Sequence, residues 1–133
     1  MPAQSPIPAF LQAFRTRSHD QLAPFLHEEV VYRVEGFAPV VGRREVLAYW
    51  RRMFEVHEDV RMSLDRHVRD ANLVMVSQRQ LYLSGRREPL VLDSMVIYEL
   101  REDLVLAWTD TVRAGDLAEE DAALWRRLRT ARW

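Results

Sequence analysis

The spacing of hydrophobic and polar positions changes several times along the chain, and each change marks a predicted element. Ser5 can cap a helix that begins near Pro8, and a second short helix follows the break at 18–20. In Glu29–Glu35, apolar and polar residues then alternate, which is typical of a half-buried strand. We expect this strand to end at Gly36.

The longest predicted helix runs from Arg43 to about His57. Its apolar residues recur at helical spacing and form one stripe, made of Val46, Leu47, Trp50, Met53 and Phe54. A second amphipathic helix is predicted near the end of the chain, from about Asp116, with Trp125 and Leu128 on its apolar side.

Between these two helices the pattern predicts four strands, the first over 60–68. The other three are Leu73–Leu83, Leu90–Leu100 and Leu104–Arg113. Their connections are short, which favours antiparallel hairpins. Helices grouped before a run of antiparallel strands predict an α+β fold, with helices packed on one side of a curved sheet. The other side of such a sheet is then available to a second subunit.

Length and charge exclude several classes of function. The 133 residues are 48% hydrophobic, which suits one globular domain over 1–133. A net charge of -1 offers no field that attracts nucleic acid or an anionic membrane. Met1–Ser5 begins no secretory signal, and no apolar run approaches the ~20 residues of a membrane helix. We therefore expect a soluble cytoplasmic domain.

The residue types that are missing narrow the chemistry further. Every basic residue is arginine, which excludes Schiff-base and P-loop lysines, and there is no cysteine. No dinucleotide, nucleophile-elbow or zinc-protease motif is present. The four histidines are scattered without metal-ligand spacing, at positions 19, 27, 57 and 67. We expect surface or capping histidines, no metal and no cofactor.

Polar residues embedded in apolar strands are the remaining candidates for a site. Gln78, Gln80 and Tyr82 share one face of their strand, and Asp110 shares a face with Trp108. Burial beside Trp108 would raise the pKa of Asp110 and make it a better general base. The other interpretation places Asp110 at the sheet rim, bonded to a neighbour, and both glutamines on a solvated or dimer-contacting face.

The orientation of Asp93 depends on one turn. If residues 101–103 form a three-residue turn, Asp110 lies opposite Ser94 on a shared face. Asp93 then points to the outer side of the sheet. One bulge would reverse this orientation, so the sequence leaves open whether Asp93 faces a pocket, and it leaves the same question open for Arg79.

The block Val40–Trp50, following Phe25–Tyr32, resembles the nuclear transport factor 2-like superfamily, in particular the SnoaL-like polyketide cyclases and limonene epoxide hydrolase. The resemblance covers roughly the whole chain in its order of elements. It implies a cone-shaped α+β barrel around one mostly apolar pocket. It also implies a homodimer and a small hydrophobic ligand such as a steroid, terpenoid or polyketide.

The epoxide hydrolase branch uses an Asp-Arg-Asp triad with a Tyr and an Asn that hold the attacking water. By this resemblance the Tyr falls on Tyr32 and the Asn on Val34. The Arg falls on Gln78, the water-activating Asp on Gln80, and the second Asp on Asp110. Because neither glutamine transfers a proton at neutral pH, we do not expect limonene-type epoxide hydrolysis. Ketosteroid isomerase chemistry is also unsupported, since its base position has no matching inward acid.

The sequence therefore predicts a dimeric pocket protein, an enzyme of cyclase, isomerase or hydrolase type with Asp110 as general base. Gln80, Gln78, Tyr32 and Ser94 would orient polar groups. The pocket walls would be Trp108, Tyr82, Trp50, Leu47, Phe54, Leu92 and Val96. Plain core packing is the alternative for the three wall residues of the 43–57 helix. A non-catalytic ligand carrier and a protein-interaction subunit are the alternative functions.

Overall fold

The computed structural model describes residues 5–85, 88–113 and 117–130. Its helices are α1 (Ile7–Ala13), α2 (His19–Leu22), α3 (Arg43–Val56) and α4 (Glu119–Thr130), with 3-10 turns at Phe14–Thr16 and Ala23–Phe25. Its strands are β1 (Leu26–Glu35), β2 (Val40–Val41), β3 (Asp59–Asp70), β4 (Leu73–Leu83), β5 (Leu90–Arg101) and β6 (Leu104–Arg113). The predicted start of the last helix at Asp116 lies outside the described residues.

The start of α3 depends on a glycine. Gly42 precedes the helix with a φ of +91°, a left-handed conformation that side chains disfavour. Its N–H donates to the carbonyl of Val30 at 2.7 Å, and its own carbonyl accepts from Val46 at 2.9 Å. The glycine therefore joins the short strand β2, which the sequence pattern did not predict, directly to the helix.

The six strands form one mixed, curved sheet in the order β2-β1-β6-β5-β4-β3. Only the contact between β1 and β6 is parallel, and the other neighbours are antiparallel. The predicted α+β class with a mostly antiparallel sheet is confirmed. Within the described residues the sheet stays open, with β2 and β3 as its edges, and does not close into a barrel.

The hairpin between β5 and β6 differs from the three-residue turn that we expected. Arg101 pairs with Leu104, so the turn has two residues, Glu102 and Asp103, with φ of 54° and 60°. Positive φ at both positions is the geometry of a type I′ turn, which matches the twist of the strands. A register shift follows at Glu99, and together the two changes displace the pairing of β6 by two residues.

This displacement preserves the face on which each side chain lies. Asp110 pairs with Val96 instead of Ser94, but because side chains alternate along a strand, both still lie on the same side of the sheet. Asp93 lies on the other side, an orientation that the sequence left open, and it pairs across the strands with Arg79.

Helices α1, α3 and α4 cover one face of the sheet, which we call the inner face, and the opposite face is the outer face. Aromatic residues of α1, the first 3-10 turn and α3 pack against Trp108 of the inner face. Two arginines form hydrogen bonds between helical segments. Arg17, after the first 3-10 turn, donates to the carbonyl of Phe54 in α3, and Arg52 in α3 donates to that of Leu128 in α4, both at 2.6 Å. No helix among the described residues is long and apolar enough to cross a membrane.

Candidate functional site

A buried carboxylate lies at the centre of the inner face. Asp110 is 4% exposed. The side-chain Nε2 of Gln80 donates to its Oδ2 at 2.6 Å, and the backbone N–H of Val112 donates to its Oδ1 at 2.9 Å. The same Gln80 nitrogen donates to Ser94 Oγ at 3.0 Å. Side chains of β4 and β5 thus meet the carboxylate of Asp110 on β6.

Tyrosines fix the orientation of the two glutamines. Tyr82 donates its hydroxyl to Gln80 Oε1 at 2.6 Å, so the Gln80 nitrogen must face Asp110. Tyr98 donates to Gln78 Oε1 at 3.3 Å, while the Gln78 nitrogen lies 4.0 Å from the sulfur of Met62. The cluster therefore forms a directed chain from Tyr82 through Gln80 to Asp110, with Gln78 beside it.

Burial controls the protonation of these groups. Desolvation raises the pKa of Asp110 above its ordinary value, while hydrogen bonds from Val112, Gln80 and Ser94 and the charge of Arg129 partly oppose the shift. Desolvation also holds the pKa of Tyr82 and Tyr98 well above the usual phenol value. At neutral pH the tyrosines are therefore neutral hydrogen-bond donors, and Asp110 is a more basic carboxylate than an exposed aspartate.

Aromatic rings surround this polar cluster. The indoles of Trp50 and Trp108 are parallel within 5°, with centroids 5.7 Å apart. Tyr32 lies 4.1 Å from Trp108, and the rings of Phe10 and Phe14 meet Trp108 edge-on at 5.3 and 5.9 Å. Such edge and offset contacts are favoured by the ring quadrupoles. We call these rings, with the polar cluster that they surround, the chamber.

Helix α4 covers the chamber beside Tyr82. Trp125 is 1% exposed, packs edge-on against Tyr82 at 5.4 Å and contacts Phe37 at 6.0 Å with its ring tilted by 42°. One turn later, Arg129 lies over the rings of Tyr49 and Phe37 at 4.5 and 4.6 Å. The C-terminal helix thus covers the inner face with an indole and a guanidinium.

Several buried donors of the chamber have no acceptor. Among the described residues, the buried side-chain polar atoms without a hydrogen-bond partner are all nitrogens that carry hydrogen: the indole Nε1 of Trp50, Trp108 and Trp125, and Nε and Nη2 of Arg129. Buried donors are nearly always paired in folded proteins. These five nitrogens are therefore unsatisfied donors among the described residues.

Two surface hollows border the residues of interest. One of about 470 Å³ lies at the ends of β1 and β6, and its lining includes Phe37, Thr109 and Asp110. A larger hollow of about 910 Å³ is lined by outer-face side chains such as Arg79 and Asp93 and also by Gln78 and Ser94. We place the site at the smaller hollow because it reaches the buried acid, whereas Arg79 and Asp93 already neutralise each other.

The structure places the predicted site residues in one region. Asp110, Gln80, Gln78 and Tyr32 lie together on the inner face, so the glutamines are on neither the outer face nor a solvated one. Asp110 also accepts a backbone N–H, as its alternative interpretation expects. The predicted wall residues Trp108, Tyr82, Trp50, Phe54 and Val96 are buried, and Leu47, Leu92 and Ser94 are partly buried.

The α3 wall residues pack as core. Trp50 meets Phe14 at 4.8 Å and Phe54 at 5.8 Å, and Leu47 packs against the same cluster. Their roles in binding remain predictions. Within the described ranges, no group of three or more histidine, aspartate or glutamate side chains is arranged to hold a metal. His57 caps α3 from a buried position, with Nδ1 2.8 Å from the carbonyl of Met53.

Sequence reasoning did not assign Tyr49, Tyr98, Trp125 or Arg129 to this region. Tyr98 could have been found because it continues the alternation of Ser94 and Val96 along β5. Trp125 was assigned to an apolar helix face, but nothing in the pattern says which surface that face covers. The position of Arg129 depends on how α4 docks, which local sequence does not encode.

Comparison with known proteins places this geometry in a family. The SnoaL-like domain profile matches residues 7–108. No curated protein matches the chain in sequence. An LEH-like epoxide hydrolase of M. tuberculosis has a similar structure, with a TM-score of 0.74 and 20% identity over 89% of this chain and 86% of that one.

Two further solved structures share the fold. TerC, co-crystallised with polyporic acid, has a TM-score of 0.69 and 16% identity, covering 94% of this chain and 95% of TerC. A putative aromatic ring hydroxylase from Novosphingobium aromaticivorans has a TM-score of 0.71 and 14% identity, covering 80% of this chain and 82% of that one. At these identities the likeness is one of fold. With its order of elements, its curved sheet and the profile match over most of its length, the chain belongs to the SnoaL-like domain family.

Proposed function

We propose that the protein binds a small, largely apolar, oxygen-bearing molecule in the chamber and that Asp110 acts on it as a general base. One observation carries the proposal: a carboxylate 4% exposed, held by a directed hydrogen-bond chain, lies among aromatic rings whose N–H donors lack acceptors. Apolar walls with a few convergent polar groups are typical of small-molecule sites.

The hydrogen bonds leave Asp110 able to accept a proton. The carboxylate accepts hydrogen bonds from Gln80, Ser94 and Val112, and its two oxygens together can accept about four. Its raised pKa brings it closer to the range in which a base works well near neutrality. The reaction class that this favours is proton abstraction, leading to isomerisation or cyclisation, or activation of water.

The glutamines limit which reactions are feasible. Gln78 and Gln80 hold polar groups in place but transfer no proton at neutral pH. Tyr82, with its pKa well above the usual value, donates a hydrogen bond without losing its proton. Some mechanisms need one carboxylate as base and a second as acid. Among the described residues, the inner face has a single carboxylate, that of Asp110. The same observation favours the second candidate function, a binding or carrier module without turnover.

The names of similar proteins are compatible with an aromatic or cyclic ligand. They include an epoxide hydrolase, a putative aromatic ring hydroxylase and a protein crystallised with polyporic acid. We infer the same broad ligand class here, a ring system that carries oxygen.

The test compares Asp110→Asn with Asp93→Asn, which makes the same change on the outer face. A panel of cyclic terpenoids, steroids and phenolic polyketides is screened for binding by calorimetry and for turnover by liquid chromatography–mass spectrometry. We expect Asp110→Asn to keep ligand affinity within a few-fold and to lose about 10²-fold or more in rate. Asp93→Asn should retain both.

The outcomes separate the candidate functions. Binding without turnover in the wild type supports the carrier module. Equal turnover by Asp110→Asn and wild type would show that Asp110 is not the base. Absence of any binding across the panel contradicts a small-molecule site. Circular dichroism of both variants establishes that they are folded.

We also propose that the outer face mediates a homodimer in a cytoplasmic protein. Large apolar side chains are exposed there, namely Val68, Leu73, Met75, Val91 and Met95. Contiguous exposed apolar residues indicate an interaction surface. Light scattering of the purified protein measures the mass directly, and a monomer at micromolar concentration would contradict this assembly. Interaction with a different protein through the same face is the remaining alternative.

A further inference from the structure

The guanidinium of Arg129 makes hydrogen bonds to the described residues through one of its nitrogens, Nη1. Its Nη1 donates to the hydroxyl of Tyr49 at 2.9 Å and to the carbonyl of Trp125 at 3.3 Å. Its Nε and Nη2 are buried and have no acceptor among the described residues. These two nitrogens are on the same edge of the guanidinium, and their hydrogens point in parallel.

This free edge has the shape of a carboxylate receptor. Two parallel N–H groups of arginine match the two oxygens of a carboxylate, and such paired, charge-assisted contacts are about twice as strong as neutral ones. The ring contacts hold the guanidinium plane in place, with its Cζ 4.5 Å from the Tyr49 centroid and 5.5 Å from the Tyr32 centroid. The receptor is therefore fixed in orientation before any ligand arrives, which lowers the entropic cost of binding.

The charge of Arg129 acts on the proposed catalytic acid. It lowers the pKa of Asp110, less than the hydrogen bonds to that carboxyl do. Phe37, whose ring lies 4.6 Å from the guanidinium, also lines the hollow of about 470 Å³ that borders Asp110. Phe37 thus borders both the hollow and the guanidinium, and the proposal requires one molecule to reach both groups by this route. The volume suits a compound of one or two rings.

We propose that the ligand of this site is a carboxylic acid on an apolar ring system, whose carboxylate is bound in two contacts by Nε and Nη2 of Arg129. This rests on the proposed function, since it names the chemical class of the same ligand. The indole N–H groups of Trp50, Trp108 and Trp125 serve further oxygens of the ligand. The positive charge of Arg129 offsets the repulsion between the bound carboxylate and Asp110.

The test uses pairs of probes that differ only in charge: cinnamate with cinnamamide, and 2-naphthoate with 2-naphthamide. Calorimetry measures the Kd of each for wild type, Arg129→Gln, Arg129→Lys and the control Arg127→Gln, an exposed arginine on the same helix. In the wild type and the control, we expect each acid to bind about tenfold or more tightly than its amide. Arg129→Gln should abolish this preference. Arg129→Lys, which keeps the charge but not the paired contact, should retain a part of it.

A spectroscopic readout accompanies the affinities. The Nε–H of Arg129, assigned from its loss in Arg129→Lys, should shift downfield in the ¹H–¹⁵N spectrum with cinnamate and not with cinnamamide. Equal binding of acid and amide by the wild type, or an acid preference that survives in Arg129→Gln, overturns the carboxylate receptor and leaves the proposed function standing. If neither member of any pair binds at millimolar concentration, both the carboxylate receptor and the small-molecule site are contradicted.

Discussion

Asp93 and Asp110 belong to neighbouring strands, β5 and β6, and face opposite sides of the sheet. Asp93 is exposed and bound by Arg79 at 2.8 and 3.1 Å, and these hydrogen bonds hold the pKa of Asp93 below its ordinary value. Asp110 is buried among rings and neutral amides, and desolvation raises its pKa. The same residue type, aspartate, thus forms a surface ion pair on one face of the sheet and is a candidate base on the other.

The two faces of the sheet differ in how their polar side chains are satisfied. On the outer face, arginine–aspartate pairs in water neutralise charge at little gain in stability. On the inner face, charge is nearly absent, and polar groups are connected in a directed chain through Gln80. Because an unpaired polar group costs far more when buried, substitutions on the inner face should have the larger effects.

The largest difference should come from removing the ring that closes the chamber. Trp125→Ala deletes a buried indole in contact with Tyr82 and Phe37 and should lower the free energy of unfolding by about 3–5 kcal/mol. Val68→Ala, an outer-face substitution at a residue 68% exposed, should change it by less than about 0.5 kcal/mol. Urea denaturation at low protein concentration measures both. Similar losses in the two variants would contradict the division between the faces.

A second carboxylate on the inner face should have the next largest effect. Gln80→Glu places an acid in contact with Asp110, and two such groups in a buried site cannot both ionise easily. We expect a loss of about 2–3 kcal/mol at pH 7. Gln21→Glu, on an exposed residue of α2, is the matched control and should cost little.

The pH dependence of this variant follows from the sign of the shift. The folded pair has a pKa raised above the unfolded value of about 4, so the penalty is complete above the raised pKa. It shrinks as the pH falls through that pKa and is absent below the unfolded value. Unfolding midpoints from pH 4 to 8, taken relative to wild type, measure this recovery. A loss that does not vary with pH would mean that the two acids do not interact.

The sequence was sufficient to predict which side chains share a face but not where they meet. Alternation along β4 and β6 grouped Gln80 with Gln78 and Tyr82, and Asp110 with Trp108, because a strand has only two faces, but it did not say which face was covered. The register of β5 against β6 depended on the turn at Glu102 and a bulge, which sequence spacing does not determine. The docking of α4 over Tyr49 depends on long-range packing, so Arg129 could not be assigned to the site.

The smallest effect should come from the outer-face pair itself. A double-mutant cycle of Arg79→Ala and Asp93→Ala should give a small favourable coupling, because both side chains are exposed and their charges are screened by water. The lowered pKa of Asp93 means that its contribution is present above its unfolded pKa and is lost as the pH falls through the folded one. The cycle is measured at low protein concentration, where the proposed dimer dissociates. In about 1 M salt the coupling should weaken, since the screening length of about 3 Å is then comparable to the 2.8 Å between the paired atoms. A coupling that salt does not change would show that this pair is shielded from solvent.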